Sequence, residues 1–182
     1  MGKIVAVEYL TLDGVMEEPR WSGPYFDGEV ARFQYDNLFG SDALLLGRVT
    51  YEGFKAAWPA MTDKQGFADR MNSLPKFVTT ATLTEPEWNA TLLDGDVSER
   101  VAALKTDFAG TLLLNGSGRL FQALHAAGLI DEYRLMFFPV ILGAGRRLFP
   151  EGSADGALKL VESQITGSGV ALLTYRPDNA AA

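Results

Sequence analysis

The chain has 182 residues, 47% of them hydrophobic, a length that suits one domain with a sizeable core. Its 23 acidic and 16 basic residues give a formal charge of −7, which speaks against a broad nucleic-acid surface. The absence of cysteine excludes disulfides and thiolate chemistry, and a single histidine, His125, argues against an imidazole metal cluster or a histidine-dependent triad. No metal is expected.

In chain order, Ile4 to Leu10 reads as a short, mostly buried strand. Glu8 interrupts its apolar run, so the segment is too short for a signal sequence or a bilayer span. No membrane partner is expected, and a cytoplasmic location is the default where no address is written. Asp13-Gly14 marks a turn. The loop from Glu17 to Asp27 carries Trp21, Tyr25 and Phe26, so it should cover something apolar, either core or ligand. Glu29 to Phe39 suits an amphipathic helix, and Ala43 to Leu46 a strand. Tyr51 to Trp58 and Phe67 to Leu74 read as short helices stopped by Pro59 and Pro75.

Phe77 to Thr80 and Thr91 to Leu93 follow as strands. Asp96 and Glu99 have capping-box spacing ahead of a helix whose face carries Val97, Val101 and Leu104. Thr111 to Leu114 is a strand leading through Asn115-Gly116-Ser117-Gly118 into a helix from about Arg119 to Ala127. Asp131 to Phe138 is a long strand, and Leu158 to Ile165 with Val170 to Arg176 an antiparallel hairpin. The order predicts an α/β domain over residues 1–176, with helices on both faces of a mostly parallel central sheet and an antiparallel C-terminal hairpin. Residues 177–182 are expected to be a frayed tail.

Three segments have strand-end chemistry suited to an anion, because ligands of open α/β sheets bind where strands end and helices begin. In Gly47-Arg48-Val49-Thr50, Gly47 permits close backbone approach, Arg48 can pair with a phosphate, and Thr50 can donate a hydroxyl. Thr79 and Thr80 end a strand with two hydroxyls. Gly116, Ser117 and Gly118 can bring backbone N–H groups against a pyrophosphate. Each has a plainer reading as a surface arginine, strand threonines or a tight turn. A fourth stretch, Gly143-Ala144-Gly145-Arg146-Arg147, fits a phosphate loop and a solvated turn equally. His125 reads as a packed or surface residue. Tyr51, Phe54 and Trp58 suit either an aromatic-binding wall or core packing. Asp13, on the loop leaving the first strand, is the candidate catalytic group for orienting a proton.

In order and spacing these pieces resemble the dihydrofolate-reductase-like superfamily. They are more closely similar to stand-alone relatives of the C-terminal reductase domain of the bifunctional riboflavin-biosynthesis enzyme. The resemblance rests on Thr11-Leu12-Asp13-Gly14, Leu45 to Phe54, Pro75 to Thr80, Gly116-Ser117-Gly118, Gly128 to Leu135 and Pro139 to Gly145. It implies the three-layer fold of that superfamily and an NADPH-dependent oxidoreductase that transfers hydride to a heterocyclic small molecule. The reaction would be similar to that of 5-amino-6-(5-phosphoribosylamino)uracil reductase or dihydrofolate reductase. It further implies that Gly47, Arg48 and Thr50 hold cofactor phosphates, that Thr79 and Thr80 meet the adenosine ribose phosphate, and that Gly116, Ser117 and Gly118 cradle the pyrophosphate. The loop of Leu12-Asp13-Gly14 would stand beside nicotinamide and substrate. The chain departs from dihydrofolate reductases at the acid of their first long helix: the matching region offers Asp27, Glu29 and Asp36, and the pattern assigns none of them to that place. A homodimer is implied too, and the apolar run from Leu135 to Leu142 is the expected contact. The alternatives are a nucleotide-binding protein of this fold without catalysis, and a structural or interaction domain.

Overall fold

The computed structural model describes residues 1–178. One eight-stranded sheet organises them. Its strands are β1 (Lys3–Thr11), β2 (Ala43–Gly47), β3 (Lys76–Thr79), β4 (Ala90–Leu93), β5 (Thr111–Asn115), β6 (Glu132–Phe138), β7 (Leu158–Ile165) and β8 (Ala171–Pro177). Their spatial order is β4-β3-β2-β5-β1-β6-β8-β7. Neighbours from β4 to β6 pair in parallel, while β8 runs antiparallel to both β6 and β7.

The central strands are apolar at nearly every position, as strands buried on two faces must be. Alternation divides their side chains between two cores. Ile4, Ala6, Leu45, Leu112 and Leu114 face one layer. There they meet Val101 of α4 (Val97–Asp107) and Phe121 of α5 (Gly118–Ala126). Val5, Val7, Leu44, Leu46 and Leu113 face the other. That layer holds α1 (Gly28–Phe39), α2 (Arg48–Ala57) and α3 (Phe67–Ser73). Each fully buried Leu or Phe in these cores contributes about 1.5–3 kcal/mol. The expected capping of α4 is present: Asp96 Oδ1 accepts from Glu99 N at 2.9 Å.

The aromatic loop is a 3₁₀ segment over Pro19–Tyr25, and Trp21 stands edge-on to Phe138 at 5.5 Å between centroids. It therefore covers core, one of the two roles its composition allows. Helix α2 begins at Arg48, three residues before the expected start, because β2 passes into it directly at Gly47. Arg48 and Thr50 consequently stand in its first turn.

Two expectations change. The run from Leu135 to Leu142 is not an open edge: its first half, to Phe138, lies in β6, which is flanked by β1 and β8. The hairpin's return strand inserts beside β6, and the sheet's free edges are β4 and β7. The tail also starts later than expected, since Pro177 pairs with Leu158 and Asp178 N donates to Ala157 O at 2.9 Å. The rest of the expected tail lies outside the described residues.

Candidate active site

The carboxyl ends of β1, β2 and β5 open onto a cavity of ≈ 1230 Å³. Small-molecule sites usually measure about 300–1,000 Å³, so this one has room for two ligands side by side. Its wall is drawn from β1 (Glu8, Tyr9), α1 (Gln34), α2 (Thr50, Phe54) and the β5–α5 turn (Gly116).

That turn has two successive residues in the left-handed region, Gly116 at φ 66° and Ser117 at φ 62°. For Ser117 this conformation costs roughly 1–2 kcal/mol. What holds it is a bond across the sheet: Gly47 N donates to Ser117 Oγ at 3.0 Å, over 70 positions of sequence. The first and third predicted segments are thus one structure, and the start of α2 is tied to the start of α5. A Cβ on Gly116 would have only Thr50 near it, at 3.7 Å, so the backbone there is open to an approaching group. Gly118 has a different reason for being glycine. A Cβ on it would stand 2.5 Å from the Sδ of Met16, which packs over the helix start.

The predicted residues therefore divide. Thr50, Gly116 and Ser117 line the cavity, while Gly47 and Gly118 shape its wall from behind. Arg48 points along the surface of α2, where its Nη1 donates to both carboxylate oxygens of Glu52 at 3.1 Å. Thr79 is buried at the end of β3, next to Gly47, with its hydroxyl 3.5 Å from Leu46 O. Thr80 Oγ1 accepts from Thr82 N and Leu83 N and so closes the turn after β3. Lys76, at the opposite end of that strand, is buried with its ammonium 3.9 Å above the Trp88 ring. Burial lowers its pKa to about 8.

Asp13, the candidate for orienting a proton, ties two loops together. Its carboxylate accepts from Thr11 Oγ1 at 2.6 Å, Gly143 N at 2.7 Å and Leu142 N at 3.2 Å. The Thr11 hydroxyl, then the Gly143 amide, hold its pKa down at about 2. Asp13 clamps the loop after β1 to the loop after β6. The Gly143 to Arg147 stretch is the other jaw of that clamp: Arg147 Nε donates to Asp13 O at 2.9 Å, and Met16 N donates to Arg146 O at 2.9 Å. The turn reading holds for it.

The three acids considered on α1 are likewise occupied. Asp27 caps the helix through Val30 N at 2.9 Å. Glu29 accepts from Gly167 N at 2.7 Å, and Asp36 pairs with Arg32 at 2.9 Å. Instead α1 presents Gln34, whose Nε2 donates to the Tyr9 hydroxyl at 2.6 Å. Phe54 and Trp58 line the cavity and also pack against the core, so both readings apply to them, whereas Tyr51 is buried and its hydroxyl donates to Glu87 O at 2.8 Å. His125 is packed, with Nδ1 2.9 Å from the Tyr133 hydroxyl.

Sequence reasoning missed Glu8 and Tyr9. The signal for Glu8 was present, since an acid within a buried strand is rare unless paired.

With this geometry in place, comparison with known proteins is informative. The profile of the RibD C-terminal domain family matches residues 3–172. The chain belongs to that family. The uncharacterized protein YyaP of Bacillus subtilis (strain 168) is 28% identical over 173 residues, covering 91% of this chain and 90% of YyaP. Among solved structures, a putative riboflavin biosynthesis protein from Shewanella sp. PV-4 superposes with a TM-score of 0.75 at 22% identity, covering 97% of this chain and 99% of the other. Dihydrofolate reductase from Enterococcus faecalis, complexed with NADP(H), superposes with a TM-score of 0.67 at 16% identity and 97% coverage of both chains. A deaminase/5-amino-6-(5-phosphoribosylamino)uracil reductase from Thermotoga maritima gives 0.68 at 18% identity, over 97% of this chain and 57% of the other. The fold is therefore dihydrofolate-reductase-like, as the motifs implied. Among the described residues, no helix is long and apolar enough to cross a membrane.

Proposed function

We propose that this protein is a reductase that binds NADPH in the cavity at the carboxyl ends of β1, β2 and β5 and reduces a heterocyclic small molecule beside it. The observation that carries the reading is the β5–α5 turn. Gly116 and Ser117 present consecutive backbone N–H groups at a helix start, the arrangement that receives phosphate. They do so at the wall of a cavity large enough for a dinucleotide and an acceptor together. Membership of the RibD C-terminal domain family and the NADP(H) complex of the Enterococcus reductase support the same cofactor.

In this reading Gly116, Ser117 and Thr50 hold the pyrophosphate, with Gly47 and Gly118 keeping their backbone in place. Arg48, Thr79 and Thr80 serve the adenosine end along the same row of strand ends. An exposed ion pair such as Arg48–Glu52 is worth only about 0–1 kcal/mol, so its guanidinium is available to a phosphate. The cofactor would supply hydride. The protein's part is to position the reactants and to keep water away with Phe54, Trp58 and the ring of Tyr9.

Fluorescence titration with NADPH and NADH tests this. Saturable binding, tighter for NADPH, is expected, followed by NADPH oxidation when a ribosylaminopyrimidine or a dihydropterin is added. No saturation with either nucleotide would remove the cofactor. Binding without turnover on any heterocycle would leave the non-catalytic reading.

We also propose a homodimer formed through the edge strand β7. Leu160, Val161 and Ile165 are exposed there, on a strand with no partner on one side. Sedimentation should give twice the chain mass. A monomer at every concentration would reject it.

A further inference from the structure

One group on the cavity wall has no structural employment. Glu8 is 2% exposed, and its Oε1 has no hydrogen-bond partner. No other buried carboxylate among the described residues is in that position. Glu132 is held by three cations, whereas the buried Oε1 of Glu8 has no hydrogen-bond partner at all. Its place is set by the sheet. β5 ends at Asn115, opposite Val7, so Glu8 is the first residue of β1 to run past it. On the other side its register partner is Leu135. Glu8 therefore sits over the notch at the end of β5, in the wall shared with Asn115, Gly116 and Ser117.

Burial without a partner disfavours the charged form of a carboxyl. Burial pushes the pKa of Glu8 well above the ordinary carboxylate range. The other ionisable groups on this wall are Tyr9, Arg32 and Tyr35 from β1 and α1, and Asp63 before α3. Arg32 is paired with Asp36, and Asp63 accepts from the amides of Gln65, Phe67 and Ala68. Tyr9 accepts from Gln34 and also has a raised pKa, mainly from burial. Asp13 and the α1 acids Asp27, Glu29 and Asp36 are already engaged by hydrogen bonds or an ion pair, and none of them lines this cavity.

We infer that Glu8 is the catalytic acid of this site, standing protonated beside the reduced nicotinamide and delivering the proton that accompanies hydride transfer. The inference rests on the cofactor reading above. The step balances as follows. When bound, the reduced dinucleotide would supply a hydride with its electron pair to the carbon of a C=N or C=O bond in the acceptor, the cofactor being oxidised and the acceptor reduced. The π pair moves to the heteroatom, which takes the proton from the Glu8 carboxyl. Glu8 would be left as a carboxylate while the oxidised cofactor carried the new positive charge. That pairing replaces the charge partner it lacked, and solvent returns the proton after product and oxidised cofactor leave.

The pairing makes a prediction that needs no substrate. Oxidised cofactor should favour the Glu8 carboxylate, and reduced cofactor the acid. Calorimetric titration at neutral pH, in two buffers of different ionisation enthalpy, counts the protons released. With NADP⁺ the wild-type protein should release on the order of one proton, and with NADPH close to none. Glu8→Gln, which keeps the shape and is neutral throughout, should release none with either while binding NADPH within about threefold of wild type. On any acceptor that wild type reduces, Glu8→Gln should be slower by roughly 10²–10⁴-fold. Equal proton release by wild type and Glu8→Gln would overturn the assignment and leave the cofactor reading intact. Absence of binding heat with both nucleotides in wild type would overturn both.

Discussion

A Gly116→Val protein should remain folded and bind NADPH roughly a hundredfold more weakly than wild type. The reason is backbone, not bulk. At φ 66° a β-branched residue is strained, while its Cβ would be in ordinary contact with Thr50 at 3.7 Å. Relief of that strain would rotate the peptides on either side, which are those aimed at the proposed pyrophosphate. A hydrogen bond to a charged group contributes about 1.5–3 kcal/mol, so loss of one or two makes about 3 kcal/mol a fair expectation. That is a factor of roughly a hundred in affinity. The strain itself costs about 1–3 kcal/mol, within the 5–15 kcal/mol that keeps a domain folded. Fluorescence titration with NADPH, run beside thermal unfolding, reads both effects. A folded variant with unchanged affinity would remove the β5–α5 turn from the site.

Much of this arrangement is written locally and was legible. Strand β5, its glycine turn and α5 follow from an apolar run, Asn115-Gly116-Ser117-Gly118 and the Leu120, Phe121, Leu124 stripe. The hairpin β7–β8 follows from two strand patterns about Gly167-Ser168-Gly169. What was not legible is what joins distant parts of the chain. The bond from Gly47 N to Ser117 Oγ makes one site of two motifs, and neither motif announces it. The insertion of β8 beside β6 is a fact of sheet order, so β6 could be misread as an open edge. Asp13 has the same lesson in reverse. Its loop position suggests chemistry, and only the partners contributed by Leu142 and Gly143, far along the chain, show that it is spoken for. Glu8 is the opposite case, an acid visible in the sequence only as a flaw in a strand. Its meaning depends on nothing pairing with it, which is a property of the folded molecule.

The end of the sheet away from the cavity carries the other large charge effect, at Glu132. This residue opens β6 and is 2% exposed. Its Oε2 accepts from Lys3 Nζ at 2.8 Å and Arg176 Nε at 3.0 Å, and its Oε1 from Arg134 Nε at 2.7 Å. One carboxylate thus fastens β1, β6 and β8. From Arg134 the contacts continue through Asn37 and Gln34 of α1 to the Tyr9 hydroxyl at the cavity. Burial acts to raise the pKa of Glu132, but Lys3, Arg134 and Arg176 outweigh it and hold it at about 2. Removing one member of a buried ion cluster typically costs about 3–5 kcal/mol. The three cations here are partly exposed and can rehydrate, which discounts the figure. Glu132→Ala should therefore lose about 2–3 kcal/mol, or roughly 5–10 °C in Tm. Glu132→Gln, which keeps the shape and loses the charge, should lose somewhat less. The pH dependence has a definite sign. The folded pKa lies below the unfolded value of about 4.3, so the stabilisation is complete above that value and is lost as pH falls toward about 2. Wild type should lose its advantage over Glu132→Gln across that interval, with the two unfolding curves converging at its acid end. Denaturant unfolding of both proteins at neutral pH and in acid measures this. A Glu132→Gln protein as stable as wild type at neutral pH would mean that the charge on this carboxylate is not what fastens those three strands.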